Sequence, residues 1–390
     1  MNFSFSEIFP DKKLIPLFIS STLRRVSFSL LGIFSPIYIF KIGQDFNFSL
    51  KLSLILVISF FFLLYLVKLF SLPLAENLAF SYGFKKIFYF SAIPFFLLSL
   101  FLFLGQKTLF YLFLASFFWG INASLFWFSY HGLFLKLGDR NHFGLMTAEA
   151  QFLEVLVNFL FPLLGAFLIW KVNFGTFLIL AGLVFILSLV SLSFSSEAKP
   201  LHDAQVRKVW QLFKTHKQMA LSYLGLGAEN CLYGIFWPLF LFFTLGEVFK
   251  VGEIFSFAIL FTGFFILVIG IWVDKIGKRA VIRFGSPLAF FSWVGRFFGR
   301  FPEAMVGIDV IYRLVDQMLA VPLLVWTYQK ALEGGTGQAL YFREILVSLG
   351  AIFALFFGGI VILLNGRIDF LFFLGAFFSL FPLLVVIKKK

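Results

Sequence analysis

Long apolar runs recur along this chain, and they constrain its fold more than any other feature. A helix needs roughly 20 mostly apolar residues to cross the hydrocarbon core of a bilayer, which is about 30 Å thick. Only 13% of the 390 residues are charged, whereas an average soluble domain carries about 25%. The chain therefore cannot cover a soluble surface, and we predict an all-α integral membrane protein.

The apolar runs predict about twelve spans, numbered here from one to twelve. They fall at 14–40, 49–72, 85–104, 108–136, 148–170 and 173–194 in the first half, and at 217–245, 251–273, 279–298, 303–330, 338–364 and 369–387 in the second half. This spacing predicts two six-helix bundles, residues 1–194 and 217–390, joined by a polar linker at 195–216.

The linker contains apolar residues at helical spacing, among them Val206, Val209, Trp210 and Phe213. This pattern indicates a short amphipathic helix on the membrane surface, and a plain tether is the alternative.

Basic residues at the span ends predict the orientation, because cytoplasmic loops are enriched in Lys and Arg. They concentrate on the side that carries both termini and the linker. This places both termini in the cytoplasm, in a multi-pass protein of the cell inner (plasma) membrane. The formal net charge of +13 is explained by these turns. The sequence shows no water-exposed basic face with interleaved aromatic residues, so it does not indicate nucleic-acid binding.

One charged turn has a specific pattern. After span eight, Gly270, Asp274, Gly277, Lys278 and Arg279 follow the order Gly-x-x-x-Asp-x-x-Gly-basic-basic. A degenerate copy lies at 76–86 after span two, with Glu and Phe in place of the first Gly and the Asp. Two sets of six spans with this turn resemble the major facilitator superfamily, and the resemblance covers nearly the whole chain.

The resemblance implies a secondary active transporter that moves a small organic solute by alternating access, with proton coupling left open. It also implies that Asp274 contacts the start of span five and holds the cytoplasmic side shut. A carboxylate at a helix C-terminus opposes the dipole of its own helix, so Asp274 is expected to contact positive charge elsewhere. A turn without a gating role is the alternative. Gly277 is expected to take the left-handed conformation that ends a helix.

Ionisable residues inside spans are costly unless they are paired or hydrated, so they are functional candidates. We predict two sets of pairs within the bundles. Arg24 or Arg25 would pair with Glu149 or Glu154 in the first half, and Glu229 would pair with Arg343, beside Glu344, in the second half. The pairs either hold helices together only, or include an acid that also carries a proton.

Span ten carries Asp309, Arg313 and Asp316 at spacings of four and three residues, which places them on one helix face. In the superfamily, spans one, four, seven and ten line the central cavity. The resemblance therefore makes this face our first candidate for contact with substrate or protons. A polar wall whose charges neutralise one another is the alternative.

Span four presents a second candidate face. Trp119, Asn122, Phe126 and Tyr130 recur at steps of three and four residues. An aromatic wall with a few polar groups suits an organic ligand, although ordinary packing is the alternative.

Gly225, Gly227 and the Gly358-Gly359 pair lie within spans seven and eleven. Small residues allow helices in a membrane to approach closely. We expect close helix contact or flexing at these positions.

The sequence lacks the patterns of an enzyme site. The four His are dispersed, Cys231 is the single cysteine, and neither a phosphate-binding Gly-rich loop nor a Gly-x-Ser-x-Gly turn occurs. We predict no enzyme activity, no metal and no cofactor. The expected partners are a small-molecule substrate and the lipid bilayer, with no nucleic acid, and the chain is expected to be a monomer. The alternative function is a non-transporting scaffold or sensor, or a lipid-acting intramembrane protein, on the same fold.

Overall fold

A computed structural model of the chain describes residues 15–137, 146, 150, 152, 153, 155, 157, 159–199, 206–334 and 336–386. The regular structure of these residues is helical, without a strand. Seven of the described helices are long and apolar enough to cross a membrane, judged by length and composition. Large apolar side chains cover their outer surface, with Phe70 74% and Phe291 67% exposed. The predicted all-α membrane architecture is confirmed.

The described helices of the first half follow the six predicted spans. Spans one, two and four are the helices Ile15–Asp45, Leu50–Tyr82 and Leu109–Leu137. Span three is divided at Ser91, span five is described as a continuous helix only over its second part, and span six is unbroken. These helices are Phe84–Phe90, Ala92–Leu104, Phe161–Lys171 and Phe174–Ser193.

The second half repeats this arrangement. Spans seven to eleven are the helices Lys217–Leu245, Val248–Ile276, Lys278–Phe298, Pro302–Gly334 and Thr336–Asn365. Span twelve consists of the helix Leu371–Ser379 and the 3-10 helix Phe381–Val385. The two sides of the molecule are named here by the linker. The linker side is the end where span six ends and span seven begins, and the far side is the opposite end.

The linker contains the helix Val206–Thr215, as its apolar spacing predicts. Trp210 and Phe213 are 57% and 38% exposed, and their rings stack 5.4 Å apart. An exposed aromatic pair on a basic helix is typical of a helix that lies in the membrane interface.

The ends of spans two and eight show the same backbone turn. Span two continues ten residues past its predicted end at residue 72 and stops at Gly83, where φ is 95°. Span eight stops at Gly277, where φ is 89° and ψ is 149°. A positive φ favours Gly, as predicted for Gly277. Its ψ places it outside the left-handed helical region, which corrects that detail.

Asp369 joins two loops on the far side. Its carboxylate accepts hydrogen bonds from Arg300 at 3.0 Å and from Arg367 at 2.6 Å. Burial alone would raise the pKa of Asp369, but these bonds and charges outweigh it and hold the pKa below its usual value.

A carboxyl group with a lowered pKa contributes stability above its unfolded pKa, and this contribution is lost as pH falls through the folded value. Solvent screening limits it to about 1 kcal/mol. We therefore expect the melting temperature of the purified chain to fall more steeply below about pH 4 than that of Asp369→Asn. Equal acid sensitivity of the two proteins would contradict this assignment.

Candidate functional site

A cavity of about 480 Å³ lies between the two halves. Its wall comes from spans one, two and four of the first half and from spans seven, eight, ten and eleven of the second half. The described part of its wall includes six aromatic residues: Phe61, Tyr65, Trp119, Trp127, Tyr233 and Phe255. A smaller cavity of about 140 Å³ adjoins it and shares Tyr233, Ile259 and Arg313. Aromatic walls with a few polar groups are typical of sites for organic ligands.

The charged part of the larger cavity's described wall consists of Lys68, Arg313, Arg343 and Glu344. Lys68 Nζ lies 2.8 Å from Glu344 Oε2, and both side chains are at least 95% buried. This ion pair joins span two of the first half to span eleven of the second half. Arg343 contacts the other oxygen of the same carboxylate.

His131 extends this group of charges toward the linker side. Its Nε2 lies 3.1 Å from Arg343 NH1, and its Nδ1 lies 2.9 Å from the Tyr328 hydroxyl of span ten. Lys68, His131, Arg343 and Glu344 are named the bridge cluster here. Two of its members lie on each half, so its polar contacts cross the interface between the halves.

Aromatic contacts join the halves on both sides of the cavity. On the linker side, Phe134 of span four stacks on Tyr328 of span ten, with ring centroids 5.0 Å apart. On the far side, Phe40 of span one meets Phe243 of span seven at 4.8 Å. The halves therefore hold the cavity between two sets of contacts.

The sequence matches no protein-family model and no curated protein. Among solved structures, the crystal structure of the human organic anion transporter MFSD10 (TETRAN) superposes with a TM-score of 0.70 at 14% identity, covering 96% of this chain and 98% of that chain. The chain has the major facilitator superfamily fold. The crystal structure of a bacterial homologue of the iron transporter ferroportin, in its outward-facing state, superposes with the same score, identity and coverage.

In this major facilitator fold, the predicted face of span ten is divided between two environments. Arg313 faces both cavities, and Asp316 faces the smaller one. Asp309 is fully buried behind the wall, where it accepts from Arg313 Nε at 3.0 Å and from Arg296 NH2 of span nine at 3.4 Å. The i, i+4 spacing therefore brings Asp309 and Arg313 into contact, but only Arg313 and Asp316 reach a cavity.

Arg296 was not expected at this site. It lies near the predicted end of span nine, yet it is 0% exposed. Its guanidinium lies 4.1–5.2 Å from the centroids of four aromatic rings, those of Tyr233, Trp237, Trp293 and Tyr312. Cation–π contacts and the Asp309 carboxylate together hold this buried charge.

The predicted pair of Glu229 with Arg343 is wrong. Glu229 is fully buried and accepts from Trp293 Nε1 of span nine at 2.8 Å, whereas Arg343 contacts Glu344 and His131. Both residues lie on the predicted helices, but they face different neighbours because the rotation of each helix decides which side chains meet.

In the first half, the observed contacts of Arg24 also differ from the predicted pair. Arg24 donates to Asn122 Oδ1 at 2.5 Å and lies 3.3 Å from the centre of the Phe126 ring, so no carboxylate holds it among the described residues. Arg25 lies over Trp127 and Tyr130 at 5.2 and 5.3 Å. Glu149 and Glu154 lie outside the described residues, so the pairing of Arg25 with one of them stays a prediction.

The predicted face of span four is divided too. Trp119 lines the cavity. Asn122 faces the first bundle, where it accepts from Arg24 and donates to the Ser91 carbonyl at 2.7 Å. That carbonyl lies at the division of span three and also accepts from the Phe95 amide at 3.2 Å, so the bond from Asn122 joins span four to this division. Trp127, eight residues after Trp119, is the second span-four aromatic of the cavity, and the same helical spacing would have found it.

Lys68 was also missed, although a lone Lys inside an apolar run is a visible signal.

The signature turn is described in part. The surroundings of Gly270 and the side chain of Asp274 lie outside the described part of the structure, so the proposed contact of Asp274 stays a prediction. Lys278 donates to Gln329 Oε1 of span ten. Lys278 and Arg279 line a linker-side pocket of about 550 Å³, together with Lys214, His216 and Lys217.

Proposed function

We propose that this chain is a secondary active transporter of a small organic solute, which works by alternating access of residues 1–194 and 217–390. The observation that carries the proposal is the cavity between the halves, lined by aromatic and charged side chains from both. Contacts on its linker side and far side can open in turn. We further propose that the protein is a monomer in the cell inner membrane with both termini in the cytoplasm.

Asp316 is the proposed site for coupling to protons. It lines the smaller cavity, and its buried Oδ1 has no hydrogen-bond partner among the described atoms. Glu229 also has a buried oxygen without such a partner, but it is not among the described lining residues of either cavity, which makes it the second candidate. The Oδ2 of Asp316 accepts from Gln317 Nε2 at 3.3 Å. A carboxyl group that faces a cavity with one unbonded oxygen can exchange a proton with solvent when the cavity opens.

The native Cys231 provides a test of alternating access. It is the only cysteine of the chain, it lines the cavity and it is 1% exposed. In proteoliposomes, a membrane-impermeant methanethiosulfonate reagent is expected to label it slowly from either side of the membrane, because each opening exposes the cavity to one side. Mass spectrometry of the intact chain measures the labelling.

Three variants act as controls for this experiment. Cys231→Ser should abolish labelling, and adding Gly234→Cys to it should restore labelling, because a Cβ at Gly234 meets nothing within 4 Å in the same cavity. Phe356→Cys in the Cys231→Ser chain, on the exposed outer surface, should stay unlabelled in lipid. A scaffold with a sealed cavity would leave Cys231 and Gly234→Cys unlabelled from both sides, which would overturn the transport proposal.

A further inference from the structure

The described wall of the larger cavity between the halves has more positive than negative charges. Lys68, Arg313 and Arg343 line it, and Glu344 is its only described carboxylate. The partner of Arg313, Asp309, lies behind the wall and is shared with the fully buried Arg296. The excess of positive charge therefore faces the cavity.

The bridge cluster concentrates this excess. Lys68 and Arg343 share the single carboxylate of Glu344. Arg343 Nε is buried without a hydrogen-bond partner among the described atoms. Buried charges are stable when they are paired and hydrogen-bonded. Two cations with one carboxylate thus carry an excess positive charge, which attracts an anion and repels a cation.

The neighbouring wall suits an apolar body attached to that anion. The cavity is lined by Tyr65 of span two and by Trp119 and Trp127 of span four. Span two also carries Lys68. We propose, as an extension of the proposed function, that the substrate is an organic anion whose head group binds Lys68 and Arg343 in exchange for Glu344, with its apolar part against these rings.

This exchange would couple binding to opening. The Lys68–Glu344 pair links the two halves directly, because its members lie on spans two and eleven. An anion that takes the place of the Glu344 carboxylate on Lys68 removes this link on the linker side of the cavity. The substrate makes different contacts in the closed and in the open arrangement. Its binding therefore shifts the equilibrium between the two.

A set of three naphthalene compounds with the same ring tests the charge preference. 2-Naphthoate, 2-naphthamide and 2-naphthylmethylammonium carry a negative, a neutral and a positive head group. Isothermal titration calorimetry on the purified full-length chain should give the tightest binding for naphthoate, by about tenfold over the amide. Stronger binding of the amide or the ammonium compound would overturn the inference, as would the absence of naphthoate binding.

Two variants test the exchange itself. Lys68→Gln should weaken naphthoate binding by about tenfold because it removes one of the two cations. Glu344→Gln should strengthen the same binding because it removes the competing carboxylate. Glu247→Gln makes the same chemical change in an exposed pair with Lys250 and should leave binding unchanged.

Effects of the same sign in Lys68→Gln and Glu344→Gln would overturn the exchange. The Cys231 labelling experiment distinguishes this failure from failure of the proposed function. If Cys231 is labelled from both sides but the ammonium compound binds best, the transport proposal stands and the organic-anion inference fails.

Discussion

Replacing Gly350 by leucine is expected to abolish the folded protein, because the backbone of span seven already occupies the space for a side chain. A Cβ on Gly350 would overlap the carbonyl oxygen of Leu224, and a Cβ on Gly227 would overlap the carbonyl oxygen of Val347. Backbone atoms cannot rotate away as the end of a side chain can. Spans seven and eleven would therefore have to separate, and close approach of small residues is what holds helices together in a membrane.

Size-exclusion chromatography in detergent measures this effect. Gly350→Leu should yield no monodisperse peak, and Gly350→Ala should fold with a lowered melting temperature. Gly234→Ala is the matched control on span seven, since its added methyl group meets nothing within 4 Å. It should not lower the stability, and the higher helix propensity of Ala should raise it by up to about 1 kcal/mol. A monodisperse Gly350→Leu protein that melts with the wild type would contradict the proposed packing.

The sequence was sufficient to predict the helices and their order, because hydropathy and turn chemistry are local properties. The turn at Gly277 and the amphipathic helix Val206–Thr215 both follow from the spacing of a few residues. The end of span two was placed too early, because polarity after residue 72 was interpreted as a loop. A helix can continue past the apolar core into polar surroundings until a residue such as Gly83 ends it.

The contacts of the candidate site could be predicted only in part, because they depend on the rotation and tilt of each helix. The Asp309–Arg313 contact lies within one helix, and its spacing was enough. The partners of Glu229 and Arg343 come from other helices, and the repeat of two halves does not specify them. Position along a span was also misleading for Arg296, which lies near a predicted end but is fully buried.

Asp309→Asn is expected to destabilise the protein strongly, because it leaves two arginines without the carboxylate that they share. Arg296 and Asp309 are both fully buried, and Arg313 is 20% exposed. Removing one partner of a buried ion pair typically costs roughly 3–5 kcal/mol, since the remaining charge stays buried without compensation. Glu247→Gln, which breaks an exposed pair with Lys250, should cost no more than about 1 kcal/mol. Thermal unfolding of the purified variants in one detergent measures both.

A second substitution separates the loss of this charge pair from a general loss of packing. Arg296→Met removes the most deeply buried cation while leaving Asp309 with Arg313. In the Asp309→Asn background it should therefore recover part of the lost melting temperature, because it removes a cation that has no carboxylate there. The four aromatic rings around Arg296 can pack against the Met side chain. Strictly additive losses in the double variant would mean that Asp309 does not stabilise Arg296, and that the rings alone hold the guanidinium in place.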